Sequence, residues 1–183
     1  TLDQALNAIW QSPNIRREIE LIDKEGISAD LQLDFKSAEG LFFPDTYFYA
    51  NGSTDIEILR RANQKMDEVL TEAWTNRLGA LPYENPYEAL IMASIIEKES
   101  GSESERGDIA GVFVRRLELG MRLQSDPTVI YGMGEDYKGD IQREDLRKET
   151  AYNTYRIDGL PPTPIALAGM ESILASLNPV LSE

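Results

Sequence analysis

The stretch that most limits how this chain can fold is Ala89 to Ile96, ALIMASII, in which Ser94 is the single polar residue. Asn85 stands before it as an N-cap, Pro86 takes the first helical position, and Glu88 follows three residues after the cap. That pattern opens a helix sharply, and the segment YEALIMASIIEKES reads as its body. A helix that is apolar nearly all round must be buried on most sides. Other elements therefore have to surround it. With 183 residues, 42% of them hydrophobic, the chain can supply one domain with a real core.

The spacing of apolar residues predicts what does the surrounding. Thr1 and Gln4 form a capping-box pattern ahead of a short helix, TLDQALNAIWQS. A second helical stretch is expected from Asn14 to Asp23. Residues 37 to 52, SAEGLFFPDTYFYANG, are aromatic-rich and broken by Gly40 and Pro44, which predicts extended chain and turns. From Ser53 to Leu78, Ile56, Leu59, Ala62, Met66, Val69, Leu70, Ala73 and Trp74 recur at helical spacing, and Gly79 ends the run. A further helix covers Ser104 to Glu118 and stops at Gly120. The segment MRLQSDPTVIYGMG predicts a strand with a turn at Asp126-Pro127. Residues 151 to 165 read as a Tyr- and Pro-rich loop, and a last helix spans Ala168 to Leu177. The expected fold is a helix-rich α+β domain with a small sheet.

Composition removes several kinds of chemistry. There is no Cys and no His. Disulfides, thiolate catalysis, a His-ligated zinc and a Ser-His-Asp triad are all excluded. Acid/base work near neutral pH must come from a carboxyl, a Lys or a Tyr. The 18 basic residues stand against 32 acidic ones, a net charge of −14. Such a chain lacks the clustered cations that nucleic acid requires and is repelled by an anionic membrane surface. No stretch reaches the ~18 apolar residues of a membrane span.

Glu97 follows the apolar run directly, on the helix face of Leu90, Ala93 and Ser94. A carboxyl that leaves a buried helix is partly desolvated, and desolvation favours the protonated form a general acid needs. Periodicity leaves two readings open: a solvated charge at a helix exit, or a catalytic acid. Glu99 points to another face and is the weaker candidate.

Four blocks carry a resemblance: EGLFFPDTY (39 to 47), ASIIEKES (93 to 100), RLQSDPTVIYGMG (122 to 134) and AYNTYRIDGLPPTPIA (151 to 166). In order and spacing they resemble the signature blocks of the MltG (YceG-like) family, over residues 38 to 178. The resemblance implies a bacterial lyase that cuts within peptidoglycan glycan strands and leaves 1,6-anhydro-muramic acid ends. It implies Glu97 as the catalytic residue. It places residues 38 to 183 in a catalytic domain shorter at its C-terminal end than the family's. Residues 1 to 37 are then a helical lead-in, the tail of a LysM-like region. It also implies a periplasmic location, with an inner-membrane anchor that this sequence lacks, and penicillin-binding-protein synthases as partners. No metal or organic cofactor is implied.

The same blocks nominate Glu39, Ser94, Gln124, Asp126, Asn153 and Tyr155 as substrate-binding residues. Each has a plainer reading. Glu39 can cap a turn, Asp126 before Pro127 can start one, and Asn153 can satisfy its own loop. Phe42, Phe43, Tyr47, Phe48 and Tyr49 can stack on sugars, though at least half suit a core. A non-catalytic peptidoglycan-binding or scaffold module is a second reading of the whole chain. A hydrolase pairing Glu97 with Glu39 or Asp126 is a third.

Overall fold

A computed structural model describes residues 1–20 and 22–180. Leu21, within the expected second helix, and residues 181–183, at the end of the expected catalytic domain, lie outside the described residues. The apolar run behaves as its composition demands. The Asn85 side chain accepts the Glu88 N–H at 3.1 Å, and α4 (Pro86–Glu99) begins at Pro86. Every residue from Ala89 to Ile96 is buried. Full burial of a Leu, Ile or Met side chain contributes about 1.5–3 kcal/mol, so this one helix anchors much of the core. Around it pack α3 (Asp55–Thr75), α5 (Arg106–Glu118), α6 (Asp126–Met133) and, most extensively, α7 (Met170–Leu177).

A second apolar cluster joins the N-terminal residues to this bundle. Leu2 and Leu6 of α1 (Leu2–Gln11) and Ile27 and Leu31 of α2 (Lys24–Leu31) pack with Phe42, Leu59 and Ala62. The capping box at Thr1 and Gln4 is present. So is one at the start of α3, where Thr54 and Glu57 exchange backbone-to-side-chain bonds of 3.1 and 3.0 Å. That helix stops at Thr75, short of the expected Leu78, whose N–H instead reaches the Leu177 carbonyl at 3.3 Å.

Three expectations need correction. The stretch Asn14 to Asp23 is not helical where it is described. The Arg16 N–H donates to Ser53 O and the Asp55 N–H to Arg16 O, a single parallel bridge. The buried Asp55 carboxylate then accepts the N–H groups of Glu18 and Ile19 at 3.0 and 3.2 Å, and Trp10 Nε1–H at 2.9 Å. These partners hold the backbone extended, and the helix starts only after Asp23, which caps it. The strand expected around Asp126-Pro127 is α6. Ser125 is its N-cap and Pro127 lies in its first turn, a position where Pro suits a helix as well as a turn. Accordingly no small sheet forms among the described residues, only the isolated Arg16–Thr54 bridge. No described helix is long and apolar enough to cross a membrane.

Candidate active site

Glu97 lies in the last turn of α4, just past the buried run, with its side chain 28% exposed. Its two oxygens have different surroundings. Oε2 accepts the Ser172 hydroxyl at 2.6 Å and the Gly169 N–H at 3.1 Å. Gly169 is the N-cap of α7, so the carboxylate meets the positive end of that helix. Oε1 makes no hydrogen bond among the described residues. The Arg106 guanidinium, at the first position of α5, stands 3.8 Å from it, beyond hydrogen-bonding distance. Arg106 Nε is buried without a partner. Nothing in the local sequence announced Gly169, Ser172 or Arg106, which lie up to 75 positions from Glu97.

Glu99 leaves the same turn on another side, as its spacing predicted. Its Oε1 accepts the Ser125 hydroxyl at 2.7 Å, tying α4 to the start of α6. Next to that bond are three of the expected substrate contacts. Gln124 is exposed and holds a left-handed backbone, φ 55°, while its N–H donates to Thr154 O at 3.1 Å. Asp126 is exposed and accepts the Tyr155 hydroxyl at 2.6 Å. Burial, and then the bond to Asp126, push the Tyr155 phenol up to about 12, so it stays a donor at neutral pH. The structure thus gathers Gln124, Asp126, Tyr155 and Glu99 beside the end of α4 that carries Glu97.

The other three nominated residues do not face an open surface. Glu39 is fully buried, because Lys24 Nζ pairs with it at 2.7 Å and the Leu2 N–H and Tyr131 hydroxyl donate to it at 2.9 and 3.2 Å. Ser94 is buried and joins α4 to the loop before α7: it donates to Ile91 O at 2.7 Å and accepts the Ile165 N–H at 2.9 Å. Asn153 is buried too. It donates to Asp145 O and Lys148 O and accepts the Tyr155 N–H at 3.0 Å, so it shapes the loop that presents Tyr155. Of the aromatic group, Phe42 and Phe43 are core residues and Phe48 is 85% exposed.

Two cavities of about 470 Å3 flank the opposite end of α4, and Glu97 lines neither. Among the described residues no three acidic side chains are arranged to hold a metal ion.

The sequence of residues 2–183 matches the model of the YceG-like family. The chain belongs to this family. It is 37% identical over 146 residues to an endolytic murein transglycosylase of Bacillus subtilis (strain 168), covering 77% of this chain and 39% of that protein. It is 31% identical over 149 residues to an endolytic murein transglycosylase of Streptococcus pneumoniae serotype 2, covering 79% and 27%. The chain therefore spans about two fifths of the first relative's length and about a quarter of the second's. A crystal structure of a YceG-like protein from Listeria monocytogenes superposes with a TM-score of 0.69 at 34% identity, covering 85% of this chain and 51% of that one. The helical architecture is thus shared with that YceG-like protein over the matched part.

Proposed function

We propose that the chain is the catalytic part of an endolytic lytic transglycosylase acting on peptidoglycan strands, with Glu97 as its only acid/base. The observation that carries this reading is the asymmetric setting of the Glu97 carboxyl. It leaves a buried helix at a partly exposed position, with one oxygen engaged by the protein and the other without a hydrogen bond among the described residues. The names of the Bacillus and Streptococcus relatives support the reaction class.

The bond cleaved is the β-1,4 link between N-acetylmuramic acid and N-acetylglucosamine. The Glu97 proton passes to the glycosidic oxygen as the muramoyl C1–O bond breaks. The C6 hydroxyl oxygen of the same sugar attacks C1 and closes a 1,6-anhydro ring. Its proton returns to Glu97. Nucleophile and electrophile share one ring, so proximity is built into the substrate and no water is consumed. One carboxyl serves both transfers. A hydrolase would need a second carboxylate facing the first across the scissile bond. Glu39 is withdrawn from that role by its buried pairing with Lys24.

Gln124 and Asp126 supply an exposed amide and carboxylate, and Tyr155 a half-buried phenol, suited to sugar hydroxyls and N-acetyl groups. Arg106 faces the anion that Glu97 becomes after it gives up its proton. Cleavage within strands beside penicillin-binding-protein synthases, on the periplasmic face of the inner membrane, would limit nascent strand length.

The deciding experiment is mass spectrometry of purified glycan strands digested with the full-length protein and its Glu97→Gln variant. Wild type is expected to give 1,6-anhydro ends, and the variant to lose ~10²–10⁴ in rate while melting normally. Reducing ends would identify a hydrolase. Binding without products would identify a scaffold module. Near-wild-type turnover in Glu97→Gln would overturn the assignment of the acid.

A further inference from the structure

We infer that Ser172 is a positioning residue for Glu97: together with the Gly169 amide it makes Oε2 an acceptor only, so that Oε1 is the oxygen that carries the proton. The inference rests on the proposed role of Glu97 and specifies which of its atoms does the chemistry.

The geometry leaves little alternative. A carboxylic acid carries its proton on one oxygen, and that oxygen becomes a donor. Oε2 already faces the Gly169 N–H at 3.1 Å, a group that can only donate. A proton on Oε2 would set two hydrogens against each other. The Ser172 hydroxyl, 2.6 Å away, adds a second donor to the same oxygen. Ser172 is fully buried on α7, so its hydroxyl has no water to turn to. Rotating the hydroxyl into an acceptor role would still leave the Gly169 N–H opposed. Oε1 has no donor within hydrogen-bonding distance; its neighbour is the Arg106 guanidinium at 3.8 Å. When Glu97 is protonated, the proton therefore resides on Oε1, the oxygen that the described residues leave without a hydrogen bond. In the second half of the reaction the two donors hold Oε2 still while Oε1 takes the proton from the C6 hydroxyl. They also lock the side-chain torsions of Glu97, which keeps Oε1 aimed without a fresh search in each cycle.

Gly169 contributes through its backbone, so side-chain substitution leaves its donor in place. Ser172 is the position to test. Ser172→Ala removes the hydroxyl and almost no volume, which makes the fold a secondary concern. A hydrogen bond to a charged group lost at this point corresponds to a roughly 10- to 100-fold effect. In the full-length protein, Ser172→Ala is expected to lower kcat for release of anhydro ends by about that factor, with KM within about twofold and the protein still fully folded at the assay temperature. Glu97→Gln is measured in parallel. Wild-type kcat in Ser172→Ala beside an inactive Glu97→Gln overturns the positioning role and leaves the Glu97 assignment standing. A raised KM with unchanged kcat overturns it as well, because Ser172 would then contact substrate. A fall in kcat matched by the loss of folded protein at the assay temperature shows a merely structural role. Activity in Glu97→Gln sinks both readings together.

Discussion

Gly40→Ala couples the fold to the site in a way that can be measured. Gly40 is buried and sits at φ +81°, and an added Cβ would lie 2.3 and 2.6 Å from Cβ and Cγ of Pro164 and 3.3 Å from Ala166 O. A left-handed backbone costs an L-residue about 1–2 kcal/mol. Forcing a methyl against a rigid ring adds about 1–3 kcal/mol, because a proline cannot swing aside. The smaller conformational entropy of unfolded Ala returns about 0.4–1 kcal/mol. The net expectation is a loss of about 2–4 kcal/mol. Gly52→Ala is the control. Its φ is +88°, but nothing lies within 4 Å of the added Cβ, so only backbone strain remains, about 1 kcal/mol or less. The effect should also reach the chemistry. Pro164 precedes Ile165, whose N–H is held by Ser94, and the same segment runs on to Gly169 at Glu97. Urea denaturation followed by circular dichroism gives the stabilities, and anhydro-end release gives the activity. If Gly40→Ala is no less stable than Gly52→Ala, the close approach of Gly40 to Pro164 is not what holds this segment, and the reasoning fails.

Lys24→Met should cost about 2–3 kcal/mol, because it leaves the fully buried Glu39 carboxylate without its cation, while the 26% exposure of Lys24 moderates the loss. Burial alone would lower the Lys24 ammonium, but the hydrogen bond to Glu39 and its charge override that and hold it above the ordinary 10.5. A cation raised in the folded state contributes its full stability below the unfolded value and loses it as pH climbs through the folded one. The gap between wild type and Lys24→Met in urea titrations should therefore be flat from neutral pH to about 10 and narrow above 10.5; a gap that closes in the neutral range would contradict the pairing. Asp55→Ala strands the N–H groups of Trp10, Glu18 and Ile19 and should cost at least ~3 kcal/mol at about 1 kcal/mol or more per donor; a loss under ~1 kcal/mol would mean that these groups find water instead. Glu99→Gln keeps an oxygen for the Ser125 hydroxyl, so activity should stay within a few-fold of wild type; an inactive Glu99→Gln beside an active Glu97→Gln would exchange the two roles.

What the sequence determined by itself was local and periodic. ALIMASII after Asn85-Pro86 could only be a buried helix, since neither the apolar pattern nor the cap depends on a distant partner. The helically spaced apolar stripe of α3 and the capping box at Thr1 belong to the same kind of signal. Glu97 stood out as the candidate acid because it is the residue at which that apolar run stops, within a block of family-like sequence. Tertiary structure decided whatever depends on groups far apart in the chain. NIRREIELID has helical periodicity, but Asp55 and Ser53, more than thirty residues on, take its backbone groups and keep it extended. Asp126-Pro127 suits a turn or a helix start equally, and packing of α6 against α4 selected the helix. Glu39, Ser94 and Asn153 have the chemistry of ligand contacts, yet Lys24, Ile165 and the Asp145–Lys148 carbonyls use up their hydrogen bonds in the interior. The division of labour between the two oxygens of Glu97 is of the same origin. It is set by Ser172 of α7 and by Gly169, the N-cap of that helix, and a one-dimensional pattern cannot record which distant donor the folded chain brings within hydrogen-bonding distance of a carboxylate.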